Sequence, residues 1–247
     1  MVRWERPQWM NSWTSAETPL IIGHRGASVD LPENTLAAFA LAAEQGADGI
    51  ELDVQFSADN QIIIFHDTTL ERLAGSNQKV SELTLAELKR FDIGEGQTIA
   101  TLDELFEMMG PRVLYNIEIK GFSLRDNGLE TTVADRVDSF GLQDLTLVSS
   151  FSPFSVRRAR TAFSRSIPVA LIRTKGLLKF TYLFASEQAD NPHHDLVDER
   201  YMAWAKSRGY RVHAWTVDDP QEASRLASLG VHGIITNKPA FVRQHLK

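Results

Sequence analysis

The chain has 247 residues, 43% of them hydrophobic, and a net charge of −6. This length and composition suit one large buried core, and the acidic balance, with no strongly basic stretch, argues against a nucleic-acid partner. The absence of cysteine excludes disulfides, thiolate metal centres and cysteine nucleophiles, and leaves the compartment open.

Residues 1–18 read as an appended arm ahead of a single domain over 19–247. The arm holds Trp4, Trp9 and Trp13, three of the five tryptophans, placed to cover an open end of the fold or a groove between helices. It has no apolar segment of the secretory type. No long apolar run follows elsewhere, so no membrane anchor is expected and a cytoplasmic location is the default reading.

Short β-branched runs then alternate with helical patterns. "LIIGH" (20–24), "GIELDV" (49–54) and "QIIIFH" (61–66) are the first strand candidates. "LTLAEL" (83–88) places Thr84 and Glu87 as a capping box with Leu83 and Leu88 as its staple. "TLDELFEMMG" repeats the Thr-x-x-Glu pattern and stops at Gly110. The strands "RVLYNIEIK" (112–120) and "LTLVSS" (145–150) follow. "SPFSVRRA" opens a helix with proline after a Ser152 cap. "IPVALI" (167–172), the weaker "SEQADN" (186–191) and "RVHAWTV" (211–217) continue the series. "DPQEASRLASLG" repeats the cap-proline start at Asp219, and "GIIT" (233–236) comes last.

This alternation implies a parallel sheet, and the length favours a TIM (β/α)8 barrel. Nine strand candidates are one too many. Parallel neighbours need a crossover of about a dozen residues, which "SADNQ" cannot supply, whereas Asp59-Asn60 suits a hairpin turn. Residues 61–66 are therefore expected to run antiparallel to 49–56 above the barrel mouth, returning His66 beside Glu51 and Asp53.

Barrel enzymes place chemistry at the C-terminal ends of their strands. Those ends carry His24, Arg25 and Gly26, then Glu51 and Asp53, then Asn116, Glu118 and Lys120, and later Asn191, His193 and Trp215. Residues two apart share a strand face. With Ile50, Leu52 and Val54 facing helices, the acids point into the barrel. Three converging carboxylates repel unless protonated or neutralised. One divalent cation bound by Glu51, Asp53 and Glu118 answers this, and all-oxygen ligation selects Mg²⁺ or Ca²⁺. Buried salt bridges to Arg25 and Lys120 are the alternative; three acids on adjacent strands, flanked by two histidines, favour the metal.

His24 and His66 form a candidate proton-transfer pair. Arg25 and Lys120 add positive charge suited to an anionic substrate such as a phosphodiester. Among the other histidines, His213 is expected to fill the barrel interior and His193 to be able to touch substrate. His194, His232 and His245 are expected to be solvated.

The ordered set "HRG" (24–26), "PENT" (32–35), "IELDV" (50–54), "FHD" (65–67), "IEIK" (117–120), "AWTV" (214–217) and "ITNKP" (235–239) resembles the glycerophosphodiester phosphodiesterases. The likeness runs from about residue 20 to 240. The resemblance implies a TIM barrel that hydrolyses glycerophosphodiesters to glycerol 3-phosphate and an alcohol. It implies Glu51, Asp53 and Glu118 as ligands of Mg²⁺ or Ca²⁺, His24 and His66 as general acid and base, Arg25 and Lys120 on the phosphate, and Trp215 at the glycerol or leaving-group side. Asn237 stands where the family commonly has Asp and is expected to cap the last helix. Residues 68–100 match the family's variable insertion, short here as in small cytosolic bacterial members, so head-group preference is left open.

Three rivals remain. A lysophospholipase D-like barrel could use "GLLKFTYLFA" (176–185) as a lipid-facing rim, against its reading as an ordinary amphipathic helix. A retaining glycosidase using Glu51 and Glu118 leaves Asp53, His24, His66 and Lys120 idle. A non-catalytic binding protein on the same fold is expected to lack ligands or histidines, and none is missing. The sequence leaves the oligomeric state open.

Overall fold

The computed structural model describes residues 13–122, 124–175 and 188–246. Strand β1 (Leu20–His24) and helix α1 (Leu36–Glu44) lead to β2 (Gly49–Phe56). The chain then leaves the barrel through β3 (Ile62–Ile64), β4 (Thr69–Leu70), the one-turn helix α2 (Glu71–Ala74), β5 (Ser76–Lys79), α3 (Leu85–Leu88) and β6 (Ala100–Thr101). Helix α4 (Leu102–Met109) returns it to β7 (Leu114–Ile119). Regular alternation follows through α5 (Leu129–Phe140), β8 (Thr146–Ser150), α6 (Pro153–Ala162) and β9 (Val169–Arg173). After the crossover come β10 (Ala189–Pro192), α7 (Glu199–Ser207), β11 (Arg211–Ala214), α8 (Pro220–Ser228), β12 (Gly233–Thr236) and α9 (Pro239–His245).

Strands β1, β2 and β7–β12 pair in parallel, and β1 bonds both β12 and β2, so the ring of eight closes as a TIM barrel. The extra candidate lies where the short connection requires. β3 pairs antiparallel with the end of β2, Val54 opposite Ile64 and Phe56 opposite Ile62. Asn60 takes a left-handed φ of 57° in the turn, a conformation asparagine tolerates. β6, which periodicity does not reveal because it spans two residues, adds antiparallel to β3. The expected strand 112–120 starts later because Gly110–Arg112 form a 3₁₀ turn.

Both capping boxes form: the Thr84 and Thr101 side chains accept from the backbones of Glu87 and Glu104, and both glutamates answer. Each N-cap contributes about 1 kcal/mol. Ser152 and Asp219 cap α6 and α8 ahead of their prolines. In α4, Leu102, Leu105, Phe106 and Met109 are buried, the spacing of one helix face.

Ile50, Leu52 and Val54 pack outward into the main core with Phe39 and Phe106, each such burial contributing roughly 1.5–3 kcal/mol. Ile62 and Ile64 belong to that main core, while Ile63, Phe65, Leu70, Val80, Leu88 and Ile99 build a second, small core over the insertion. Trp13 is buried, donates from Nε1 to the Leu145 carbonyl at 2.8 Å and meets the His213 ring edge-on at 5.2 Å. Trp4, Trp9 and the apolar stretch 176–185 lie outside the described residues, as do the first two residues of the expected strand 186–191. Among the described residues no helix is long and apolar enough to cross a membrane.

Candidate active site

The strand ends converge on a cavity of about 230 Å³ at the barrel mouth. It is lined by His24, Arg25, Glu51, His66, Asn116 and Glu118, with Phe151, Ile172, Asn191, Trp215 and Ile235. Such a volume suits a small polar moiety rather than a drug-sized ligand.

The turn after β1 delivers the first two groups. Arg25 adopts a φ of 56° and Gly26 a φ of 88°. A side chain at Gly26 would bring a Cβ within 2.6 Å of the Ala38 backbone, so only glycine permits this approach to α1. The turn aims the Arg25 N–H at Glu51 Oε2 (3.1 Å), its Nε at Asp53 Oδ2 (3.2 Å) and its Nη1 at Glu33 Oε1 (2.8 Å).

Glu51 and Asp53 leave the inner face of β2, and Glu118 the inner face of the neighbouring β7, with Asp53 and Glu118 in register. All three are buried, and they offer carboxylate oxygens within 4.8 Å of one another. Lys120 Nζ lies 2.8 Å from Glu118 Oε1 and 3.3 Å from Asp53 Oδ1, and Asn34 Nδ2 donates to Asp53 Oδ2 at 2.8 Å.

The ion pairs weighed against a metal therefore do form, but they neutralise the cluster unevenly. Burial opposes ionisation of Asp53, yet Lys120 and Arg25 outweigh it and hold the carboxyl below its ordinary value. For Glu51, burial and then the charges of Asp53 and Glu118 push the carboxyl well up. Burial and Asp53 push Glu118 up to about 7. Arg25 and Lys120 thus neutralise Asp53 but not Glu51 and Glu118. Hard oxygen donors of this kind fit Mg²⁺ or Ca²⁺.

The two histidines sit in unlike environments. His24 Nδ1 lies 2.7 Å from Asn237 Oδ1, while Nε2 lies 3.9 Å from Glu51 Oε2. Asn237 donates from Nδ2 to Asp218 Oδ2 at 2.6 Å and from its backbone N–H to Asp218 Oδ1 at 2.8 Å. The Asp218 carboxylate can only accept, so it fixes the amide with Oδ1 toward His24. His24 must then donate from Nδ1, which leaves the Nε2 lone pair toward the cavity. Burial, then the Arg25 charge, lowers the His24 pKa, so the ring is neutral.

His66 is returned by the β2–β3 hairpin. Its Nδ1 meets a carboxylate, Asp67 Oδ1, at 2.6 Å. Burial opposes the charge on Asp67, but hydrogen bonds from His66 and Arg72 hold its carboxyl below the ordinary value. Opposite, Trp215 donates from Nε1 to the Asn191 carbonyl at 2.9 Å and meets Phe151 edge-on at 5.5 Å, forming an aromatic wall.

All eight residues expected from the sequence surround this one site: His24, His66, Arg25, Lys120, Trp215, Glu51, Asp53 and Glu118. Three expectations need correction. Asn237 does not cap the last helix: Lys238 holds the N-cap position with no side-chain cap bond, and Asn237 is taken up by His24 and Asp218. His232 is half-buried rather than solvated, and its Nδ1 accepts the Val212 N–H at 3.0 Å. His194 is likewise half-buried, against Glu222 at 2.8 Å. His193 packs on Trp215, ring centroids 5.2 Å apart, without lining the cavity. His213 fills the barrel interior as expected. Sequence reading passed over Glu33, Arg72 and Asp218, which act on other protein groups; an Asp-Asp pair after "AWTV" is a weak signal that a loop carboxylate faces inward.

A profile of the glycerophosphoryl diester phosphodiesterase family matches residues 24–241. A glycerophosphodiester phosphodiesterase of Caldanaerobacter subterraneus is 34% identical over 231 residues, covering 89% of this chain and 94% of its own. One from Bacillus altitudinis is 30% identical, covering 92% and 99%. Among solved structures, an Oleispira antarctica phosphodiesterase in complex with the product sn-glycerol-3-phosphate superposes with a TM-score of 0.79 at 30% identity, covering 93% of this chain and 97% of that one. Fold and sequence agree: the chain belongs to the glycerophosphoryl diester phosphodiesterase family, whose members are phosphoric diester hydrolases.

Proposed function

We propose that the chain hydrolyses small glycerophosphodiesters, such as glycerophosphocholine and glycerophosphoethanolamine, to sn-glycerol 3-phosphate and an alcohol. The observation that carries this is the cluster of Glu51, Asp53 and Glu118, with oxygens within 4.8 Å of one another, in a cavity lined by His24 and His66. The cavity's size supports the reading: about 230 Å³ accommodates the glycerol phosphate half and leaves the head group at the mouth.

Glu51, Asp53 and Glu118 would hold one Mg²⁺ or Ca²⁺ ion. Bound there, the ion would neutralise phosphate charge and acidify the attacking hydroxyl. Arg25 and Lys120 grip the phosphate oxygens. His24, with Nδ1 committed to Asn237 and Nε2 free, acts as general base. His66, whose Nδ1 is held by the Asp67 carboxylate at 2.6 Å so that its other ring nitrogen is left for substrate, acts as general acid and delivers its proton to the departing alcohol. Trp215 packs on the glycerol side. A cytoplasmic location, a soluble small-molecule substrate, and the division into an arm over 1–18 and a domain over 19–247 belong to the same reading.

A second reading rests on exposed apolar residues that follow barrel strands: Val29, Phe122 and Leu124 in loops, and Phe154 in the first turn of α6. They would favour a substrate with an acyl chain lying across the rim. One assay separates the two. Glycerol 3-phosphate release from glycerophosphocholine with Mg²⁺ or Ca²⁺, abolished by EDTA and in Glu51→Ala and His24→Ala, is the expected result. Release that survives complete metal removal refutes the metal site. Turnover of lysophosphatidylcholine alone moves the assignment to the second reading.

A further inference from the structure

Arg72 belongs to none of the groups assigned above. It sits on α2, a single turn between the paired strands β4 and β5. Leu70, directly before it, is buried in the small core with Phe65, Val80 and Leu88, so the turn is anchored. From there the guanidinium makes three hydrogen bonds to two carboxylates. Nε donates to Asp67 Oδ2 at 2.7 Å, Nη1 to Glu33 Oε2 at 2.9 Å and Nη2 to Glu33 Oε1 at 2.6 Å. The other oxygen of Asp67 holds His66 Nδ1, and Glu33 Oε1 also holds Arg25 Nη1.

We propose that Arg72 is a positioning residue that locks the acid histidine and the phosphate-binding arginine into one register. Through Asp67 it fixes the His66 ring so that Nε2 faces the cavity. Through Glu33 it fixes Arg25. One planar fork thereby sets the distance between the proton donor and the phosphate whose leaving oxygen needs that proton. Arg72 transfers nothing itself: the P–O bond breaks, the electron pair goes to the leaving oxygen, and the proton comes from His66. Arg72 is 46% exposed, and exposed ion pairs add little to stability. The value of the three bonds is therefore orientation, which in a reacting pair is sensitive to small displacements.

The proposal rests on His66 being the acid, and the test separates the two claims. Arg72→Met, Arg72→Lys and His66→Ala are compared with the parent chain on two substrates. Glycerophosphocholine has a leaving alkoxide that needs a proton. The p-nitrophenyl ester of glycerol 3-phosphate has a leaving phenolate that does not. Arg25 keeps its contacts to Glu51, Asp53 and Glu33 without Arg72, so Arg72→Met is expected to lower kcat about 10- to 100-fold on the choline ester through His66 and no more than about threefold on the nitrophenyl ester, with melting temperature unchanged. Arg72→Lys is expected to recover little, because an ammonium cannot span both carboxylates. Equal losses on both substrates, or no loss on either, overturn the proposal when His66→Ala discriminates between them. If His66→Ala fails to discriminate, the acid assignment falls and the proposal falls with it.

Discussion

Replacing Asn237 tests whether the two histidines are differentiated by their partners. Asn237→Ala removes the acceptor 2.7 Å from His24 Nδ1 and leaves Asp218 Oδ2 without its donor at 2.6 Å. In the free enzyme the lost bond joins neutral groups, but with His24 as the proposed general base the ring would become an imidazolium in the transition state. A hydrogen bond to a charged group contributes about 1.5–3 kcal/mol, so kcat should fall roughly 10- to 100-fold. KM should change little, since the amide does not line the cavity. Asn237→Asp sharpens the test. An asparagine donates to Asp218 while accepting from His24; an ionised aspartate cannot donate, and it would face the Asp218 carboxylate. The single variant should therefore be impaired, and the swap Asn237→Asp with Asp218→Asn should recover activity by restoring one charge and both hydrogen bonds. The assay is steady-state glycerol 3-phosphate release, with melting curves to confirm folding. A kcat within about twofold of the parent for Asn237→Ala refutes the claim that this amide sets the His24 tautomer.

Three further outcomes follow from the structure. Burial, reinforced by His232 and Arg211, lowers the His213 pKa to about 3, against about 6.5 in the unfolded chain. The unfolded state then binds more protons as pH falls below about 6.5, so stability is complete above that value and declines by up to about 1.4 kcal/mol per pH unit toward pH 3. Urea denaturation at pH 7, 6 and 5 should show this slope, reduced in His213→Asn; an identical slope in the variant refutes it. Glu51→Gln, which removes one of three mutually repelling carboxylates, should raise metal-free stability by on the order of 1 kcal/mol while abolishing metal-dependent turnover, read by melting in EDTA beside the activity assay. Trp13→Ala removes a buried ring and its bond to Leu145 and should cost about 3–5 kcal/mol in denaturant titration, with kcat retained in the folded fraction.

Much of the site was legible because its rules are local. The spacing of Glu51 and Asp53, and of Asn116, Glu118 and Lys120, places each set on one strand face, and a connection too short for a crossover dictates the hairpin that returns His66. Asn237 was misread because an asparagine two residues before Pro239 looks like a cap, whereas its actual partner, His24, lies at the far end of the chain and is brought near by the β1–β12 closure. His232 was misread for the same kind of reason: the Val212 N–H that it accepts becomes available only when β11 and β12 pair. Arg72 carries no periodic signal, since a one-turn helix in an insertion buries no face of its own.

The small core formed by Ile63, Phe65 and residues 70–99 makes the molecule modular. The barrel supplies Glu51, Asp53, Glu118, Arg25, Lys120 and His24, while the annex, joined to the barrel core through Ile62 and Ile64, carries the chain beyond His66 on an apolar nucleus of its own. Such a unit can open on its own at a free energy below that of global unfolding. Amide exchange in residues 67–99, beyond the strand paired to β2, is then expected to be decoupled from exchange in the barrel strands. It also means that annex length and composition can drift while the barrel end of the cavity keeps its shape; under the proposed function, head-group choice would change with the annex.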